Sequence, residues 1–377
     1  MIAKNAASSG KPNPLARLHD CGQSFWLDYI RRRMLHDGEL ERLIRDDGLR
    51  GMTSNPAIFE KAIAGSDDYN AQIAELAAEG ADRDRAYEAL VLSDIGQAAD
   101  LLRPVWDNSD EGDGCVSVEV SPHLARDTEG TLVEARRLWS ALARPNIMIK
   151  VPATVEGLPA IEQLIAEGIN VNVTLLFSVS RYEQVLEAFL KGLERRRQAG
   201  EPLAGLHSVA SFFLSRIDSH VDARLDRYGT EPAQALRGTA AIASAQLAYA
   251  HFRARMQSAR WRQLAGAGAA PQRLLWASTS AKDPAYDDLK YVTPLIGPQT
   301  VTTLPPETVT AFRDHGICAV ALEDAPRGAR RAVEELAELD IDLDAVADQL
   351  EAEGIEKFVQ PFDALMSAID ERLRAAR

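Results

Sequence analysis

Residues 146–198, NIMIKVPATVEGLPAIEQLIAEGINVNVTLLFSVSRYEQVLEAFLKGLERRRQ, hold in one run the pattern that decides the fold. NIMIKV (146–151) is a short, apolar, β-branched stretch that reads as a buried strand. LPAIEQLIAEG (158–168) follows with apolar residues at three- and four-residue spacing and a closing glycine, which reads as a helix. INVNVTLL (169–176) is then a second strand and SRYEQVLEAFLKGLERRRQ (180–198) a second helix.

Outward from this core the alternation continues. SFWLDYI (24–30), LRGMTS (49–54) and CVSVEV (115–120) precede it as strands, with a helical pattern, TEGTLVEARRLWSALA, at 128–143. HSVASFF (207–213), RLLWAST (273–279) and TVTTL (300–304) follow it. Eight strands with helical crossovers make either a large open parallel sheet or a closed barrel, and eight is the number that closes. The expected fold is therefore α/β, a (β/α)8 TIM-type barrel with additional external helices. Segments 55–110 and 214–272 exceed a single crossover helix, so each is expected to hold two or more. Residues 1–14 read as a flexible leader, 15–377 as a single barrel domain, and 325–377 as helices packed on its outside.

Composition narrows the function classes. The chain has 377 residues, 46% hydrophobic and 26% charged, with ample material for a core. Forty-two basic against fifty-six acidic side chains leave a net charge of −14, which repels polyanions and argues against nucleic acid or an anionic membrane as partner. A small anionic ligand stays compatible, because phosphate is held by a few convergent donors at short range. Cys21, Cys115 and Cys318 form no CxxC motif, no run of about twenty apolar residues occurs, and the first fourteen residues contain no apolar core of a signal peptide. A cytoplasmic protein is expected. The seven histidines show no metal-ligand spacing, and neither GxGxxG nor GxxxxGK occurs, so no metal and no cofactor is expected.

Polar residues gather at the C-terminal ends of the strands, where barrels of this type place their active sites. Asp28 ends FWLD, Asn55 follows GMTS, Glu119 sits in VSVEV, Lys150 closes NIMIK, and Asn172 and Thr174 alternate in INVNVT, so that these two share one face. A lysine ending an apolar strand is informative, since burial without a fixed counter-charge disfavours the ammonium form. Its free amine attacks a ketone, and the resulting protonated imine draws electrons so that a neighbouring carbon–carbon bond can break. Glu119 and Asp28 are the carboxylates available for the accompanying proton transfers. Lys150 fits a plain interior salt bridge to Glu119 or Asp28 equally well on position alone. Asn55, before Pro56, also fits a helix cap, and Asn172 and Thr174 could satisfy one another. A second cluster, Ser211 and Arg216 after the sixth strand with Ser278, Ser280 and Lys282 after the seventh, suits a phosphate. The plainer alternatives are pairing of Arg216 with Asp218 or Asp222, and a solvated Lys282.

In order and spacing, TSNPAIF, VSVEVSP, NIMIKVPAT, GINVNVTLLFS and VASFFLSRID resemble the signature segments of the transaldolase family, over residues 20–320. The length and the loop WASTSAKDPAY look like its long bacterial branch. The resemblance implies that Lys150 is the Schiff-base lysine, Glu119 and Asp28 the acid/base pair, and Thr174 a partner of Glu119 in holding a catalytic water. Asn55 and Asn172 would bind substrate hydroxyls, while Ser211 and Arg216 hold the phosphate with Phe213 lining the pocket between them. Ser280 stands where the shorter relatives place a second phosphate-binding arginine, and Lys282 is the nearby substitute. The implied reaction belongs to the pentose phosphate pathway. It moves a dihydroxyacetone unit from sedoheptulose 7-phosphate or fructose 6-phosphate to glyceraldehyde 3-phosphate or erythrose 4-phosphate, in a monomer or homodimer. The alternatives are a fructose 6-phosphate aldolase releasing free dihydroxyacetone, which carries Gln and Tyr where this chain has Glu119 and Phe213, and a non-catalytic barrel scaffold.

Overall fold

The computed structural model describes residues 13–109, 112–322 and 326–377. Of the leader assigned to residues 1–14, all but Asn13 and Pro14 lies outside the described residues. The elements run β1 (Gln23–Asp28), α1 (Arg32–His36), α2 (Glu39–Asp46), β2 (Gly51–Thr53), α3 (Pro56–Ala64), α4 (Asn70–Ala78), α5 (Arg83–Asn108), β3 (Cys115–Glu119), α6 (Thr128–Leu142) and β4 (Ile147–Pro152). They continue as α7 (Gly157–Glu167), β5 (Val171–Leu176), α8 (Val179–Gln198), β6 (Ser208–Phe213), α9 (Ser215–Tyr228), α10 (Glu231–Ala235), α11 (Ala240–Met256), α12 (Ala259–Ala265), β7 (Gln272–Ala277), β8 (Thr300–Leu304), α13 (Pro306–His315), α14 (Arg327–Glu338) and α15 (Leu343–Ala376).

The eight strands close in sequence order, all parallel, with β8 pairing back onto β1. This is the expected (β/α)8 barrel. The expected multiple helices are present in both long segments, α3 to α5 and α9 to α12. Between β7 and β8, however, the described chain has only a 3-10 turn, Thr293–Leu295, in place of an α-helix. Buried Tyr291, Leu295 and Ile296 cover that stretch of the barrel wall instead.

Alternation sorts each strand into an inward and an outward face. Trp26 on β1 fills the interior beside Gly51 of β2, where an added Cβ would lie 2.5 Å from the indole ring. The glycine is thus required by a close approach rather than by a turn. Val116, Ile147, Ile149, Val171 and Val173 are buried, the aliphatic content expected of parallel strands covered by helices.

The C-terminal helices differ in what they reach. α14 packs on α11, whereas α15 runs across α3, α4, α5 and α9 and touches β5. Asp342 caps α15, and the Ser180 hydroxyl donates to Asp344 in its first turn (2.6 Å), fixing where the helix begins.

Candidate active site

The C-terminal ends of the strands surround a cavity of about 510 Å³. Lys150 projects into it from β4 and is almost wholly buried. Its Nζ donates to the Ser54 carbonyl at 2.9 Å and lies 3.7 Å from Glu119 Oε1, too long for a hydrogen bond. β3 and β4 pair Glu119 directly with Lys150, which is why the two meet. Asp28 enters from β1 and accepts a 2.8 Å hydrogen bond from Thr53 Oγ1, its register partner on β2.

Burial dominates the electrostatics. It pushes the Glu119 carboxyl up to about 7, with Lys150 opposing the rise and Asp28 adding to it. Asp28 is likewise raised by burial, against the pull of Lys150 and the Thr53 hydroxyl. Both Glu119 oxygens and Thr174 Oγ1 are buried with no hydrogen-bond partner among the described residues. Unpaired buried polar atoms are costly, so three of them around one amine mark a site arranged for something other than stability.

The remaining candidates separate by depth. Thr174, Ser211 and Phe213 line the cavity from β5 and β6, and Asn55 lines it while its Oδ1 caps α3 by accepting from Ile58 N (3.0 Å). Asn172 is fully buried and is not part of the lining. It sits one layer down, donating to Ser117 Oγ (2.9 Å) and accepting from Ser211 Oγ (2.7 Å). Asn172 and Thr174 therefore share a face without bonding to each other.

Arg216, in the first turn of α9, has its Cζ 5.5 Å from the centre of the Phe213 ring. Neither Asp218 nor Asp222 holds it. Asp218 accepts from Ala241 N and Tyr291 OH, and Asp222 from Gly238 N and Tyr286 OH. Arg216 Nη1 remains buried without a hydrogen-bond partner among the described residues, beside the cavity. Ser278 Oγ meets Ser215 Oγ at 2.8 Å, and Lys282 donates to Ser280 Oγ (2.7 Å) at the exposed edge. Two non-glycine residues next to the site, Leu175 (φ 55°) and Ser278 (φ 55°), hold left-handed backbone, a strain of order 1–2 kcal/mol each. At Leu175 the strain coincides with a register shift in β5 just beyond Thr174.

The model of the family described as transaldolase/fructose-6-phosphate aldolase matches residues 25–369. The chain belongs to that family. It is 49% identical over 96% of its length to a transaldolase of Thermobifida fusca (strain YX), covering 99% of that protein. Against a transaldolase of Acidothermus cellulolyticus it is 50% identical over 97% of its length, covering 98% of the relative. A protein named transaldolase 2 from a Nostoc species is 46% identical over 96% of the chain and 98% of its own length.

Several residues of this transaldolase-family site were not singled out in the sequence. Thr53 holds Asp28, Ser54 holds Lys150 through its carbonyl, and Lys61 and Glu307 line the cavity. Lys357 and Phe358 reach it from α15, some two hundred residues after the lysine they face. Thr53 could have been found from its place in a strand of the set. No pattern in the tail points to the other two. Among the described residues no group of His, Cys, Asp or Glu could hold a metal ion, and no helix is long and apolar enough to cross a membrane.

Proposed function

We propose that this transaldolase-family enzyme transfers a dihydroxyacetone unit from a ketose phosphate, sedoheptulose 7-phosphate or fructose 6-phosphate, to glyceraldehyde 3-phosphate or erythrose 4-phosphate, in the cytoplasm. The observation that carries the reading is the buried Lys150 amine at the barrel mouth, 3.7 Å from a carboxyl poised near neutrality, with Arg216 beside the same cavity and its Nη1 without a hydrogen-bond partner among the described residues.

The chemistry follows from these groups. The Lys150 amine adds to the ketose C2 carbonyl, and the carbinolamine loses water to give the protonated imine. Glu119 supplies the proton that lets the hydroxyl leave as water; a carboxyl near pH 7 is suited to giving and regaining it. Asp28 removes the C4 hydroxyl proton as the C3–C4 bond breaks; the bonding electrons pass to the iminium nitrogen, and the aldose phosphate departs. The enamine left on Lys150 attacks the acceptor aldehyde, whose oxygen takes the proton from Asp28. Water, held by Glu119 and Thr174, then hydrolyses the new imine and frees the amine. Asn55 binds substrate hydroxyls from the cavity wall, and Asn172 acts one layer below by holding Ser211. Arg216, Ser211 and Ser278 receive the phosphate by charge-assisted hydrogen bonds.

The experiment is product analysis with fructose 6-phosphate and erythrose 4-phosphate. Equimolar sedoheptulose 7-phosphate and glyceraldehyde 3-phosphate are expected. Accumulation of free dihydroxyacetone without a new ketose phosphate would replace transfer by aldol cleavage.

A further inference from the structure

The C-terminal helix α15 turns one face to the catalytic mouth. Gly354, Lys357 and Phe358 stand at i, i+3 and i+4 and so lie on the same side of the helix. A Cβ on Gly354 would be 3.0 Å from Leu175 Cδ2 and 3.7 Å from Arg216 Nη1, so the glycine brings the helix down onto the guanidinium. The Phe358 ring centre is 5.9 Å from Lys150 Nζ. Between these two anchors, Lys357 lines the cavity that Arg216, Ser211 and Ser278 also line.

The charge to be met is larger than one guanidinium supplies, since a phosphate monoester carries about −1.5 to −2 near neutrality. The loop after β7 offers Ser280 and the exposed Lys282, whose amine already donates to that serine. Among the described residues Lys357 pairs only with Glu353, 3.5 Å away on its own helix, with both side chains exposed. Such a pair is weak, and a dianion competes for the ammonium. Pro361, four residues on, has no N–H to bond the Lys357 carbonyl, which loosens the helix at this turn.

We propose that Lys357 is the second phosphate-binding cation of this site, gripping with Arg216 the phosphoryl end of both donor and acceptor, so that α15 forms one wall of the substrate pocket. The assignment rests on the transaldolase reading and adds to it a specificity residue for phosphorylated over unphosphorylated sugars. Its test compares glyceraldehyde 3-phosphate with glyceraldehyde as acceptor for wild type, Lys357→Met and Lys357→Arg. The methionine variant is expected to raise KM for the phosphorylated acceptor about tenfold, the worth of one charge-assisted contact. Its KM for glyceraldehyde should stay within about twofold of wild type, and arginine should restore most of the loss, since it keeps the charge. A parallel rise for both acceptors would make the side chain a structural wall only, and no change with either would show that phosphate is held without it; both overturn the proposal. A wild type that transfers no unit to any acceptor would instead overturn the proposed function, and this assignment with it.

Discussion

At the N-terminal end of the barrel a half-buried Arg273 of β7 meets the buried Asp113; at the C-terminal end Lys150 is buried beside Glu119. The first pair is fully engaged. Arg273 Nη1 donates to Ser24 Oγ (2.8 Å), and its Nη2 donates to Asp113 Oδ1 (3.0 Å) and to the Gly112 carbonyl. The second pair is held apart at 3.7 Å, with both carboxylate oxygens unpartnered among the described residues. A cation and carboxylate that satisfy each other hold strands together, whereas a pair left unsatisfied in the same fold is available to a substrate.

The comparison can be broken by removing one cation at a time. Arg273→Met should cost about 3–5 kcal/mol in urea unfolding, because Asp113 is left buried and alone, while the folded fraction keeps its kcat. Lys150→Met should cost less than about 1 kcal/mol at pH 7, since Glu119 already titrates near neutrality and can retain its proton. Equal losses for the two variants would mean that the upper pair is as structural as the lower.

A pH series sharpens the same point. A carboxyl whose folded pKa of about 7 exceeds its ordinary 4.5 favours the folded state below pH 4.5, and that contribution is lost as pH rises through 7. Between pH 4.5 and 8, wild type should therefore lose roughly 2–3 kcal/mol of stability relative to Glu119→Gln. Parallel stability curves would place the Glu119 carboxyl in an ordinary environment.

The smallest effect is expected one layer down. Asn172→Ala removes the link between Ser117 and Ser211 and should lower stability by about 1–2 kcal/mol. Substrate KM should change less than about threefold, as for any supporting hydrogen bond outside the cavity wall. A loss of kcat with an unchanged Tm would bring Asn172 into the reaction itself.

The barrel was legible because parallel strands buried on both faces leave continuous β-branched runs, and NIMIKV and INVNVTLL are such runs. Lys150, Glu119 and Thr174 could be read for the same reason: a polar residue at the end of an apolar strand stands out against its neighbours. What sequence did not convey was contact between distant segments. Lys357 and Phe358 sit in an ordinary amphipathic pattern, and only the path of α15 brings them to Lys150. Cys21 and Cys318, far apart in the chain, bring their sulfurs to 2.7 Å of one another. Asp218 and Asp222, natural partners for Arg216 by spacing, are taken instead by backbone amides and tyrosines of the segment between α10 and β8.

If the unsatisfied end of the barrel is the reactive one, a ketose forms its imine at Lys150. Incubating the protein with fructose 6-phosphate and borohydride and weighing the intact chain, with Lys150→Ala alongside, traps that imine. Wild type should gain a reduced dihydroxyacetone adduct and the variant none. Folded wild type that gains no mass, or a variant that gains as much as wild type, would contradict an imine at Lys150.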